Sequence, residues 1–218
     1  MLASTCRTLD VYPQTTQINR LVDLTEIYRP EVNLVQWLRE PDARFEIDIK
    51  SLLSRPALAI RQQVSSNITL MSLGNYLRLP SESLLLFDIQ RLISLFADLF
   101  DLHEVGLRLE KIGATMCPRF HTDKLACRLV TAYHGVGTQW LDENNIDRCK
   151  LGAGAAGLPD SQSGIYQFEN QIRTANTSDV LLLKGDSWPE SPVAGIVHRS
   201  PPACPNQPRL LLTLDFAD

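Results

Sequence analysis

CPRFHTDKLACRLVTAYHG, residues 117–135, sets His121 and Asp123 two positions apart and then runs into a β-type segment that Gly135 ends. On a strand, residues i and i+2 point to the same face. His121 and Asp123 would therefore present an imidazole and a carboxylate side by side. Taken alone, the pair equally fits a polar strand end, because the chain has four histidines and one His-x-Asp arises easily.

The segments around this stretch set the fold class. VGLRLEKI alternates, with Val105, Leu107 and Leu109 on one face. After the opening stretch come GIYQF, DVLLLKG, AGIVHRS and RLLLTLDF, separated by Pro, Gly, Asp and Asn. Short strands without intervening helices predict a sandwich or jelly roll rather than a parallel sheet. Residues 1–104 read as mainly helical. NLVQWLRE suggests a short amphipathic turn or two, and FEIDIKSLLS is open between strand and helix. In SESLLLFDIQRLISLFADLFDL, Leu85, Ile89, Leu92, Phe96 and Leu99 recur every three or four residues, with Asp88, Arg91, Ser94 and Asp98 largely opposite. Ser81 is the predicted N-cap. The expectation is an α+β protein: a helical N-terminal part (1–104) covering one face of a C-terminal jelly roll (105–218), the two forming one integrated domain.

Composition narrows the function classes. At 218 residues with 44% hydrophobic and 21% charged residues, the chain suits a soluble globular fold with a sizeable core. A net charge of −4 implies no basic face for nucleic acid. The apolar run LLLFDIQRLISLFADLF is interrupted by charge and is no membrane span, and MLASTCRTLDVYPQ lacks the apolar core of a signal peptide. Five cysteines without a C-x-x-C pair fit a reducing cytoplasm, each reading first as a small buried apolar side chain. GAGAAG (152–157) matches G-x-G-x-x-G, but NNIDRCK before it is no strand and LPDSQSG after it is no helix, so the dinucleotide reading fails on context. The region 142–164 reads instead as a long loop of the kind that lids a site.

The chemistry is carried by a wider constellation. His198 ends the β run of AGIVHRS, and Arg209 opens RLLLTLDF eleven residues later. Two histidines on separate strands and a carboxylate make the facial triad that leaves positions open on a ferrous ion. Arg209, Leu211 and Thr213 share one face of their strand. An arginine on an enclosed face needs an anionic partner, which the carboxylate of a co-substrate would supply. The alternative is two satisfied histidines and a strand-end salt bridge.

The order His-x-Asp, distal His, then Arg on the last strand resembles the iron- and 2-oxoglutarate-dependent dioxygenases, with their double-stranded β-helix. The resemblance implies His121, Asp123 and His198 as ligands of Fe(II), and Arg209 on the distal carboxylate of 2-oxoglutarate with Thr213 beside it. The motifs C-P-x-F-H-x-D, R-L-x-x-T-Y in the variant RLVTAY, G-x-G-T-x-W-L, H-R-S-P and R-L-L-L-T-L-D-F resemble, over most of the chain, the bacterial family designated domain of unknown function 1826. Its association with zinc-regulation genes keeps Zn(II) as an alternative metal, in a zinc-binding or zinc-homeostasis accessory without oxygenase activity.

Other side chains follow by position. Arg128 lies near enough to the His-x-Asp pair to meet a co-substrate anion or the ligand carboxylate, or to form a core-edge salt bridge. Trp140 and Tyr133 read as core aromatics or pocket walls. Lys184, ahead of Trp188, reads as a solvated strand end. Cys117 and Cys204, four and six residues from the histidines, offer thiolates to a zinc site. The substrate, small molecule or protein, and the oligomeric state stay open.

Overall fold

The computed structural model describes residues 12–113, 118–191, 193–202, 204 and 207–217. Its strands are β1 (Gln14–Ile18), β2 (Val32–Trp37), β3 (Ala59–Ser65), β4 (Glu104–Ile112), β5 (Cys127–His134), β6 (Gln139–Leu141), β7 (Ile172–Thr174), β8 (Val180–Lys184), β9 (His198–Arg199) and β10 (Arg209–Phe216). The helices are α1 (Glu46–Leu53), α2 (Leu70–Leu77), α3 (Leu84–Phe100) and the one-turn α4 (Asp160–Ser163). Seven strands form a large sheet in the order β1-β2-β8-β5-β10-β4-β3, and three form a small one, β7-β6-β9. His121 extends the small sheet by an antiparallel bridge to His198.

The central strands of the large sheet pack apolar side chains on both faces. On one side Leu107, Leu129, Leu182, Leu210, Leu212 and Leu214 pack with Leu85, Ile89 and Phe96 of α3. On the other, Leu34, Val130, Leu181, Leu183 and Leu211 pack with Trp140 and Ile196 of the small-sheet layer. Each fully buried leucine contributes about 1.5–3 kcal/mol. The register of β10 against β5 and β4 sends Arg209, Leu211, Thr213 and Asp215 to the face between the sheets. A third cluster (Phe120, Leu141, Ile165, Val197) fills the space under residues 143–163.

Several sequence expectations need correction. NLVQW lies within strand β2 (Val32–Trp37), not in a helical turn. All six of its residues are buried, since both faces of the sheet are covered, and that removes the alternation that marks a half-exposed strand. Residues 1–104 therefore supply β1, β2 and β3 to the sheet as well as three helices. FEIDIKSLLS resolves as helix α1. The N-cap of α3 is Ser83, whose Oγ accepts the Leu86 N–H at 3.0 Å, and not Ser81. Asp88 is buried, because Arg39 and the Tyr133 hydroxyl both donate to it. GIYQF is not a strand: Ile165 and Tyr166 turn inward to the third cluster. The three-residue strands β6 and β7 are too short to announce themselves by period.

Residues 142–164 are a succession of single turns, at 143–145, 148–150, 152–155 and 160–163. This accounts for GAGAAG. Gly152 and Gly157 have φ of +55° and +80°, and a Cβ on Gly154 would collide with the Cys149 carbonyl. These glycines serve tight turns, with neither strand nor helix to cradle a pyrophosphate.

Candidate metal centre

His121 and His198 face each other across a two-stranded edge. Each N–H donates to the other's carbonyl at 3.0 Å, the reciprocal pattern of a hydrogen-bonded antiparallel pair, which puts both side chains on one face. The imidazole centroids are 4.7 Å apart. His121 Nδ1 lies 2.9 Å from the Arg119 carbonyl and His198 Nδ1 3.2 Å from that of Ile196. A carbonyl only accepts, so each imidazole carries its proton on Nδ1 and turns the Nε2 lone pair outward, as a metal ligand must.

Asp123 completes the group. Its Oδ1 is 3.8 Å from His121 Nε2 and its Oδ2 3.6 Å from His198 Nε2. One donor atom from each of the three residues falls within 4.8 Å of the others. His198 is buried, and burial, opposed by the attraction of Asp123, pulls its pKa down to about 4. It is thereby held as a neutral imidazole near pH 7, the form a metal ligand needs. Two imidazoles and one carboxylate suit a first-row divalent ion and leave further positions open.

The chain fixes Asp123 from both sides. Arg128 on β5 donates through Nη1 to Asp123 Oδ2 at 2.7 Å. Its Nε and Nη2 grip both oxygens of Asp215 at 2.6 and 2.9 Å. Arg128 thus combines two of the roles open to it in the sequence, a contact to the Asp123 carboxylate and a core-edge salt bridge with Asp215. The turn carrying Asp123 is pinned to the end of β8: Asp186 N–H donates to the Asp123 carbonyl, and the Asp186 carboxylate receives Thr122 Oγ1 at 2.6 Å and Lys124 Nζ at 3.2 Å. Gly185 permits this approach, since a Cβ there would strike the carbonyls of Asp123 and Leu125.

Asp160 braces both histidines. Its Oδ2 accepts the N–H of Phe120, the neighbour of His121, at 2.9 Å, and Arg199 Nη1, the neighbour of His198, at 3.0 Å. The Arg199 guanidinium also lies over the Phe120 ring, 4.3 Å from its centroid, and Arg119 Nη2 donates to the Gly157 carbonyl. Sequence reasoning missed Asp160, Asp186 and Asp215. Asp215 was within reach, since the period that groups Arg209, Leu211 and Thr213 extends to it. Asp160 and Asp186 carry no local signal.

Arg209 is buried on the inward face of β10. Its Nε donates to the Val136 carbonyl at 2.6 Å, while Nη2 is shielded from solvent with no hydrogen-bond partner among the described residues. Burial alone pulls its pKa down to about 10. Thr213 lies on the same face, past Leu211. An unspent donor on a buried cation is the form of a seat for a carboxylate.

The remaining candidates lie elsewhere. Trp140 is a core aromatic that also lines a cleft, opposite His198 in the β6–β9 register. Lys184 is not a solvated strand end. It is buried on the helix side of the sheet, with Nζ donating to the Arg29 carbonyl and lying over Trp188. Cys204 is exposed and lines a small cavity with Arg209 that His121, Asp123 and His198 do not line, and Cys117 lies outside the described residues. Among the described residues no helix is long and apolar enough to cross a membrane.

The fold has counterparts among solved structures. The Arabidopsis thaliana dioxygenase for auxin oxidation 1, solved as a complex with 2-oxoglutarate, superposes with a TM-score of 0.51 at 8% identity, over 94% of this chain and 93% of that one. The rice dioxygenase for auxin oxidation gives 0.53 at 12% identity, over 94% and 82%. At such identities the likeness is one of fold, a mixed helix-and-sheet, cupin-like architecture. No curated protein matches the chain by sequence. The family described as "Protein of unknown function (DUF1826)" matches residues 19–215, from just after β1 to the penultimate residue of β10, and the chain belongs to that family.

Proposed function

We propose that this protein is an Fe(II)- and 2-oxoglutarate-dependent oxygenase. The observation that carries the reading is the meeting of His121, Asp123 and His198 at one point, both imidazoles aimed through Nε2 by bonds at Nδ1. The cupin-like fold shared with the auxin dioxygenases supports it.

The donor set fits the metal, and the unspent Nη2 of Arg209 fits the distal carboxylate of 2-oxoglutarate, with the Thr213 hydroxyl as a further donor. When bound, the iron and 2-oxoglutarate supply oxidation by dioxygen coupled to decarboxylation of the co-substrate. The chain supplies the rest. His121 and His198 would each offer the metal an Nε2 lone pair. Arg128 would orient Asp123 toward the metal position and, through Asp215, is itself kept from swinging away. Arg209 fixes which end of a dicarboxylate enters first. Residues 142–164, tied down at Asp160, shield the site from water.

Anaerobic titration with Fe(II) and then 2-oxoglutarate tests the reading. The expected result is a metal-to-ligand charge-transfer band that needs His198 and weakens at least tenfold in apparent 2-oxoglutarate affinity in Arg209→Ala. Absence of the band in a protein that holds zinc tightly would overturn it in favour of the zinc-binding alternative.

A further inference from the structure

We infer that the cleft between β1 and β7 binds an extended polypeptide segment, which pairs with the open edge of β1. Among the described residues β1 pairs with β2 alone and β7 with β6 alone, so each ends its sheet. A cleft of about 760 Å³ opens between these edges. Thr15, Gln17, Gln36, Trp140, Arg173 and Asn176 are among the residues that line it.

The backbone of β1 sets the direction. Gln14 N–H donates to Glu31 and the Ile18 carbonyl accepts from Leu38, so the even positions serve β2. Main-chain groups alternate sides along a strand. Thr15 and Gln17 therefore turn both N–H and C=O to the open edge, while their side chains line the cleft. Five residues of β1 offer about 17 Å of template.

The side chains select a neutral, amide-rich ligand. Asp179 is acceptor-only and receives Gln36 Nε2 at 2.7 Å, so Gln36 must present its Oε1 to Gln17 Nε2, which donates at 2.9 Å. That leaves Gln17 Oε1 as an acceptor toward the cleft. The Asp142 carboxylate accepts from Arg173 Nε at 2.9 Å and from Thr15 Oγ1 at 3.3 Å, so the acid that lines the cleft is already engaged from both of its edges. Trp140 is buried, its Nε1 has no partner among the described residues, and this residue forms part of the inner wall. An extended peptide supplies the alternating donors and acceptors that this lining lacks. Trp140 stands opposite His198, so a bound segment lies one side chain from the metal centre. That such a segment is also the substrate rests on the oxygenase reading; its binding does not.

Phage-displayed random dodecapeptides selected on the full chain in EDTA, with the best one synthesised and titrated calorimetrically, test the inference without metal. The expected peptide binds the wild type, loses at least tenfold in affinity to Gln17→Pro, which removes an edge N–H and leaves the β2 ladder intact, and loses about three- to tenfold to Trp140→Phe. Slowed hydrogen exchange at the Thr15 and Gln17 amides of the wild type is expected whether or not the proline variant folds. Failure to enrich any peptide, enrichment without that slowing, or saturation of the same amides by cellohexaose but by no peptide would overturn it.

Discussion

Arg128 holds two carboxylates at once, and only one of them, Asp123, belongs to the group formed with His121 and His198. Replacing it with methionine takes the guanidinium away from both Asp123, partly buried, and Asp215, buried. Breaking such a network costs roughly 3–5 kcal/mol when the partners stay charged. Arg128→Met is therefore expected to lower the urea midpoint sharply and to weaken Fe(II) or Co(II) affinity by about 10–100-fold, the usual effect of losing a group that orients a ligand. Spectroscopic metal titration separates the two effects. Double replacement with Asp215→Leu should recover stability but not metal affinity, since Asp123 still lacks its guide.

His198 makes a second prediction at the same scale. Its folded pKa of about 4 is below the ordinary 6.5. The unfolded chain thus binds a proton between these values that the folded chain refuses, and stability rises with pH through that window. Metal-free protein should lose stability progressively from about pH 6.5 down to pH 4. His198→Gln should flatten that part of the profile in urea titrations read at each pH. An unchanged slope would remove His198 as its source.

At the scale of elements, the segment 142–164 matters more than its composition suggests. Loop-like spelling concealed a set of bonded turns whose acid, Asp160, reaches the neighbours of both histidines. Asp160→Asn keeps the acceptor oxygen for Phe120 and removes the charge that holds Arg199. It is expected to weaken metal affinity about tenfold with a much smaller change in global stability, read by competition with a chelator. Gly154→Ala should loosen the same segment, since its new methyl group has no room beside the Cys149 carbonyl, and limited proteolysis within 143–160 should accelerate. Neither variant is expected to alter nucleotide binding, because GAGAAG builds turns.

Legibility at this scale followed physical rules. The runs of β4, β5, β8 and β10, and the periodicity of α3, were readable because one face differs from the other. β2 was not, because both of its faces are covered. β6 and β7 were too short for any period. The order His121, Asp123, His198 and Arg209 was visible as a pattern. The acids Asp160 and Asp186 could be seen only once distant segments had met.

At the scale of the molecule, the large sheet is shared between the two halves of the sequence, and α3 is packed on the strands that carry Arg128 and Arg209. Leu107, fully buried between sheet and helices, tests this. Leu107→Ala should cost about 2–5 kcal/mol, with metal affinity in the surviving folded fraction nearly unchanged, as determined by chemical denaturation and metal titration on one sample. A loss of metal affinity as large as that of Arg128→Met would mean that the core tunes the site rather than only carrying it.

The bracing of both histidines by one carboxylate in the 142–164 segment has a reciprocal consequence. Ordering that segment lends free energy to metal capture, so captured metal must return the same amount to the ordering of the segment. A tenfold gain in metal affinity from an ordered segment would then appear as a tenfold shift of the segment's opening equilibrium when metal is added. Cleavage within 143–160, followed with and without bound metal, reads that exchange directly, and Asp160→Asn should abolish the difference.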